Sequence, residues 1–141
     1  MKITIKRFDT TLPLPSYQSN GAACVDLCAR VETTIPARSI GYIPLNIALE
    51  MPEGYWVLLA ARSSTHKSGL MQANGIGIMD WDFRGDNDEY HFAAYNFTDS
   101  PVTVERGQRI AQMTIVKLDR MEFTEVENLE GKDRGKFGST G

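Results

Sequence analysis

NGIGIMDWDFRG, from Asn74 to Gly85, is the stretch on which the fold and the chemistry of this chain turn. Asn74-Gly75 suits a two-residue hairpin turn with positive φ at both central positions. Ile76, Ile78 and Met79 follow as a short apolar strand. Gly77 among them marks a point where another backbone or a ligand comes close. The composition then turns polar at Asp80, Asp82, Arg84 and Gly85, with Trp81 and Phe83 interleaved. A carboxylate at the end of an apolar strand, half-sheltered by Met79 and Trp81, is equipped to act as a general base. Taken alone, the stretch also reads as a solvated turn with incidental acids.

On either side the chain breaks into short strands with almost no helical periodicity. Met1, Ile3 and Ile5 alternate with Lys2, Thr4 and Lys6, which is the period of a strand. Thr11 to Asn20, with Pro13, Pro15, Ser16 and Ser19, is a loop. Strands are expected at Ala22 to Ala29, at Val31 to Ile35, and across Ile40 to Met51 around Pro44. Pro52-Glu53-Gly54 is a turn. Tyr55 to Ala61 (YWVLLAA) is nearly all apolar, which predicts a strand buried on both faces. Ser63 to Ser68 has room for one helical turn. Glu89 to Phe97, Val102 to Val104 and Ile110 to Leu118 complete the set. Such spacing predicts an all-β sandwich or barrel. From Asn128 onward the core pattern stops. Residues 1–127 are therefore expected to form the β domain, and 128–141 a flexible C-terminal arm.

Length and charge bound the function classes. The chain of 141 residues fits one domain, large enough to bury a core without staples. A formal net charge of −3 argues against the basic footprint of a nucleic-acid binder. No apolar run reaches the length of a membrane span. The N-terminus, MKITIKRF, alternates and carries cations at Lys2, Lys6 and Arg7, unlike a signal peptide. Cys24 and Cys28, the only cysteines, sit in an extended segment with Cα atoms about 13 Å apart, too far to bridge. Reduced thiols and a cytoplasmic location are the expectation. As a metal pair the two thiols would lack further ligands.

Four more polar islands interrupt the apolar scaffold. Asp26 lies inside AACVDLCA, and a carboxylate there must be paired, protonated or near a cation. Arg62-Ser63-Ser64-Thr65-His66-Lys67 follows the apolar strand and offers the cations and hydroxyls of an anion site. Gln112 sits in the apolar run of RGQRIAQM. The end of the chain, Asp133 to Gly141, sets cations, hydroxyls and glycines around Phe137.

In order, AACVDLCA, ARSSTHKSG, NGIGIMDWDFRG, RGQRIAQM and RGKFGSTG resemble the five motifs of the homotrimeric dUTPases, the dUTP diphosphatases. The resemblance runs from Ala22 to Gly141, and GIGIMDWDFRG and FGSTG are its most specific parts. It implies a jelly-roll-like β-barrel assembled as a trimer. The implied reaction is Mg²⁺-dependent hydrolysis of dUTP to dUMP and pyrophosphate, which limits uracil incorporation into DNA and supplies dUMP for dTMP synthesis. Carried over by motif, Asp80 would activate the attacking water. Asn74 and the backbone of Gly75 to Met79, with Gly77 and Ile78, would read uracil. Phe83 would pack under the deoxyribose. Arg62, Ser63 and Ser64 would hold phosphates, with Gln112 assisting. Asp26 would bind water on the metal. Arg134, Phe137 and Gly138, from a neighbouring subunit's arm, would contact phosphate and cover the base.

The residue chemistry suits those roles. Triphosphate transfer needs positioning and charge neutralisation more than covalent help. Mg²⁺ keeps waters and phosphate oxygens around it, so one outer-shell acid suffices. Uracil and cytosine reverse a donor and an acceptor, and a site built for one leaves buried groups unpaired with the other. A ring pressed against C2′ leaves no space for a ribose hydroxyl. The chain departs from the family pattern in four places. Phe83 stands where tyrosine is usual. The Arg62 to Lys67 motif is shorter, with Ser64 in place of a glycine. A few extra residues lie within Asp86 to His91 (DNDEYH), an acidic bulge. The spacing between Arg134 and Phe137 is tighter, so that Lys136 can share the arginine's role. Two other readings stand beside this one: a dCTP deaminase on the related fold, and a non-catalytic protein that uses the scaffold to grip a regulatory partner.

Overall fold

The apolar run YWVLLAA becomes the longest strand but one and the spine of the largest sheet. In the computed structural model, which describes residues 1–133 and 135, Tyr55–Ala61 is β6. It pairs antiparallel with the last strand, β11 (Arg109–Lys117), from Tyr55↔Lys117 to Ala61↔Ala111. β2 (Val25–Cys28) lies beyond β11, and β8 (Gly77–Met79) lies beyond β6, giving the order β2-β11-β6-β8. A second sheet has the order β4 (Ile40–Pro44), β9 (His91–Asn96), β7 (Leu70–Gln72). Two antiparallel pairs complete the barrel wall: β1 (Thr4–Arg7) with β5 (Ile47–Glu50), and β3 (Thr33–Ile35) with β10 (Val102–Val104). Among the described residues the only helix is a 3₁₀ turn at Thr65–Ser68, and none is long and apolar enough to cross a membrane. The architecture is an all-β, jelly-roll-like barrel.

Period-2 alternation aims one face of each strand at a shared core. In β9, Phe92, Ala94 and Asn96 are buried and the residues between them are not. Leu27, Ile43, Val57, Leu59 and Ile110 meet them from the other strands. Each such aliphatic side chain contributes about 1.5–3 kcal/mol on full burial.

Three local expectations are corrected. Tyr55–Ala61 buries only Val57 and Leu59 fully, while Trp56, Leu58 and Ala60 are half-buried. The outward face of this sheet has no second layer over it among the described residues. Asn74-Gly75 does not close a hairpin. β7 pairs with β9 and β8 pairs with β6, so the two flanking strands lie in different sheets and the turn is a corner between them. Only Gly75 has positive φ there, at 74°. Finally, Ile40 to Met51 is not one strand. It splits into β4 and β5 at Leu45-Asn46, where Asn46 takes φ 69°. Its amide anchors the break by exchanging hydrogen bonds with the Asp9 backbone at 2.6 and 3.0 Å.

Asn96 is the polar pin of the second sheet. It is fully buried, and its Nδ2 donates to the carbonyls of Ile35, Pro36 and Ser100 at 2.8–3.1 Å. Its Oδ1 accepts from the Thr98 amide at 2.9 Å and the Thr98 hydroxyl at 2.8 Å. Asn96→Ala strands these partners without water. We expect a loss of about 2–3 kcal/mol, read as a lower urea midpoint at unchanged slope.

Candidate active site

The polar face is set by strand register. Asp26, Gln112 and Ala60 are directly opposed across β2, β11 and β6, so their side chains share one face of the sheet. That face points away from the core. Strict alternation would send Arg109 to the opposite face. A register shift between Arg109 and Ala111 prevents this. The extra residue, Ile110, is buried, and Arg109 emerges opposite Cys28 on the Asp26 side. Re-aiming a side chain is a common use of a β-bulge.

The bulge builds a cationic cradle. Asp26, whose side chain is 11% exposed, receives Arg62 Nε on Oδ1 and Arg109 Nη1 on Oδ2, each at 3.1 Å. Arg62 Nη1 also donates to the Arg109 carbonyl at 3.3 Å. Gln112 Nε2 donates to the Ala61 carbonyl at 3.0 Å. The backbone beneath is held by Thr65. Its buried hydroxyl donates to the carbonyl of Ile110 at 2.8 Å and accepts the Arg62 amide at 3.1 Å. Ser63 and Ser64 sit exposed at the mouth, just before the 3₁₀ turn, and Lys67 is exposed on it. Two guanidiniums around one carboxylate leave net positive charge, fit for the paired oxygens of a phosphate.

Sequence reasoning placed Asp26, Arg62 and Gln112 at the site and gave no role to Arg109 or Thr65. The motif RGQRIAQM contains Arg109, but its face depends on the bulge, which no local pattern announces. Thr65 lies in the quoted loop. Only its burial distinguishes it from its neighbours.

The second group lies around β8. Gly77 is buried against Leu59, and a Cβ there would meet the Leu59 Cβ at 3.1 Å. Ile78 and Asn74 are exposed, and Met79 is half-buried. Asp80 is exposed at the strand's end, and its carbonyl accepts the Phe83 amide at 3.2 Å. The Arg84 guanidinium lies over the half-buried Trp81 ring at 4.9 Å. Phe83 stacks on Tyr90, with ring centroids 6.0 Å apart and planes at 23°.

The two groups are far apart within one chain. β2 and β8 are opposite edges of the four-stranded sheet, about 14 Å from edge to edge. Asp26 is level with Ala60, whereas Asp80 follows Met79, the partner of Val57. That adds about 14 Å along the strands. Asp80 and the Asp26 cradle of one chain thus stand about 20 Å apart by strand geometry. No hydrogen bond or ion pair among the described residues joins them. Arg134, Phe137 and Gly138, with Lys136, lie outside the described residues.

The donor set bears on the metal. No group of three or more His, Cys, Asp or Glu converges among the described residues. Each Asp26 oxygen carries one guanidinium and keeps a lone pair. Asp26 could thus serve as an outer-shell acceptor for Mg²⁺ that keeps its own waters and substrate oxygens.

Comparison with known proteins places the chain in a family. A family model described as dUTPase matches residues 10–141. The deoxyuridine 5'-triphosphate nucleotidohydrolase of Caldanaerobacter subterraneus subsp. tengcongensis is 42% identical over 147 residues, covering 99% of this chain and 97% of that protein. The dUTPase from Streptococcus mutans superimposes with a TM-score of 0.76 at 27% identity, over 84% of this chain and 98% of that one. The dUTPase of Staphylococcus bacteriophage 80alpha, solved with dUpNHpp, shares the fold with a TM-score of 0.84 at 20% identity, over 99% of this chain and 98% of that one. The chain belongs to the dUTPase family.

Proposed function

We propose that this protein hydrolyses dUTP to dUMP and pyrophosphate. The observation that carries the reading is the cradle of Arg62 and Arg109 around Asp26, with Gln112 beside it on the same face. In this reading the guanidiniums, with Ser63 and Ser64, grip the phosphate chain. Asp80 takes a proton from a water as its oxygen bonds to the α-phosphorus, and the bond to the bridging oxygen of pyrophosphate breaks. Asn74 and the backbone from Gly75 to Met79 read uracil, and Phe83 packs under the sugar. Mg²⁺, when bound, neutralises phosphate charge and orients the chain for in-line attack, with Asp26 as its outer-shell partner. A deaminase would need a free glutamate near the base. Glu89, the first glutamate after Asn74, is instead engaged bidentately by Arg30 at 2.7 and 2.9 Å. The free Cys24 and Cys28 support a reducing compartment, the cytoplasm.

The in-chain separation of about 20 Å exceeds what the triphosphate of one nucleotide bridges. We therefore place Asp80 of one subunit beside the Arg62 cradle of another, in a homotrimer. In this arrangement the arm from residue 128 completes a neighbour's site through Arg134, Phe137 and Gly138.

Pyrophosphate release from dUTP, dCTP and UTP tests the substrate. We expect turnover with dUTP alone, and comparable release from dCTP sinks the assignment. Asp80→Asn is expected to keep substrate affinity while turnover falls about 10²–10⁴-fold. A near-normal rate moves the base elsewhere.

Shared sites predict rescue. Arg62→Ala and Asp80→Asn chains, each inactive alone, should regain dUTP hydrolysis when co-refolded, because some mixed sites carry neither substitution. Mixed trimers no more active than their parents would refute the shared site. A chain ending at Lys132, mixed with Asp80→Asn, applies the same logic to the arm.

A further inference from the structure

The acidic stretch from Asp86 to His91 returns the chain beneath Phe83, and Tyr90 is the residue that meets it there. Phe83 lies outside any strand and is 38% exposed. Its backbone is tied to the turn by the hydrogen bond from its amide to the Asp80 carbonyl at 3.2 Å. Tyr90 is fully buried and stacks on it with centroids 6.0 Å apart at 23°.

Tyr90 is itself clamped from both sides. Its amide donates to the Ile47 carbonyl at 2.9 Å, and its carbonyl accepts the Leu45 amide at 2.8 Å. One residue earlier, the buried Glu89 holds Arg30 and accepts the Asn46 amide at 3.0 Å. The approach is a tight turn, in which the Asp88 amide donates to the Gly85 carbonyl at 3.1 Å and Asp88 Oδ2 accepts the Gly85 amide at 2.6 Å. A Cβ on Gly85 would sit 2.9 Å from that carboxylate oxygen, so glycine fits the turn. Lys6 fastens the outer side by donating to the Asp86 carbonyl at 2.7 Å. The Tyr90 hydroxyl has no hydrogen-bond partner among the described residues. The contact with Phe83 is made by the ring.

We propose that Tyr90 is a positioning residue for sugar selection: it fixes the plane of Phe83, and so the space left at C2′ of the bound nucleotide. The proposal rests on the reading that Phe83 packs under the deoxyribose. Rejection of a 2′-hydroxyl by a ring is steric, and a small misplacement of the ring opens the space that excludes it. The stretch thereby acquires a use inside the enzyme, as the rigid mount of that ring.

The test compares the ratio of kcat/KM for dUTP to that for UTP in the full-length protein. Tyr90→Leu is expected to lower the ratio about 10-fold, the low end of what a single apolar contact discriminates. Tyr90→Phe, which keeps the ring, should retain it. Phe83→Ala should lower the ratio, and adding Tyr90→Leu to Phe83→Ala should lower it no further, because the two act through one ring. A general loss of packing would instead act on both backgrounds. Should Tyr90→Leu fail to fold, Tyr90→Met is judged by the same criteria. A ratio unchanged by Tyr90→Leu or Tyr90→Met while Phe83→Ala lowers it overturns the role of Tyr90 and leaves that of Phe83 standing. A ratio unchanged by Phe83→Ala overturns both.

Discussion

The pairing of β6 with β11 is the constraint on which the rest depends. It joins seven residue pairs far apart in the sequence, Tyr55 to Ala61 with Lys117 to Ala111. Because facing residues share a side, this register decides that Ala60, Gln112 and Asp26 look outward while Val57, Leu59 and Met113 look inward. The bulge at Ile110 then reverses the parity for one residue and brings Arg109 round to Asp26. A shift of one residue anywhere along the ladder would exchange core and site. Asp26 depends on the outcome. A carboxylate so little exposed is costly unless paired and hydrogen-bonded, and here both oxygens are paired. The same pairs hold two guanidiniums ready for an anion, which lowers the reorganisation needed on binding.

Much of the fold was legible because alternation is a local property. The run YWVLLAA and the segment Val102 to Val104 became strands, and the alternation at the N-terminus became one from Thr4 to Arg7. What local pattern could not supply was the identity of each strand's partner. Asn74-Gly75 has the composition of a hairpin turn, yet β9 takes the hydrogen-bonding edge of β7 and β6 takes that of β8. The partners, and not the dipeptide, decided that the turn is a corner. The same limit applied to YWVLLAA, whose composition gives no way to tell a strand covered on both faces from one whose second face is left open in the single chain.

The site divides along the same line. Asp26, Arg62 and Gln112 were legible because a polar side chain in an apolar strand, or directly after one, stands out against its surroundings. Arg109 was hidden by the bulge, and Thr65 by its likeness to the serines around it. Tyr90 was hidden in another way. It sits in the acidic DNDEYH, which by composition reads as solvated surface. Glu89 and Tyr90 are nevertheless buried, because Arg30 neutralises one and Phe83 covers part of the other. Burial pushes the Tyr90 hydroxyl up to about 12, with the charge of Asp88 adding to the effect.

The distance across the sheet also constrains how the proposed site can be assembled. Asp80 directly follows β8 and Asp26 lies in β2, and the ladders β8-β6-β11-β2 run between them without a loop or hinge. Bringing them together within a chain would mean breaking the ladders that define the fold. Bringing them together between chains needs only a contact that places the β8 edge of one copy near the β2 edge of the next. Such a contact joins two different surfaces, and its closed form is a ring. The outward face between those edges carries Leu58 and Ile78 directly opposed, beside Thr114 and Val116, with Ile78 59% exposed. Covering that apolar strip would add the hydrophobic term that holds the ring. In the proposed trimer each interface then supplies one base and one cradle, so that three interfaces give three complete sites and none is left with half its chemistry.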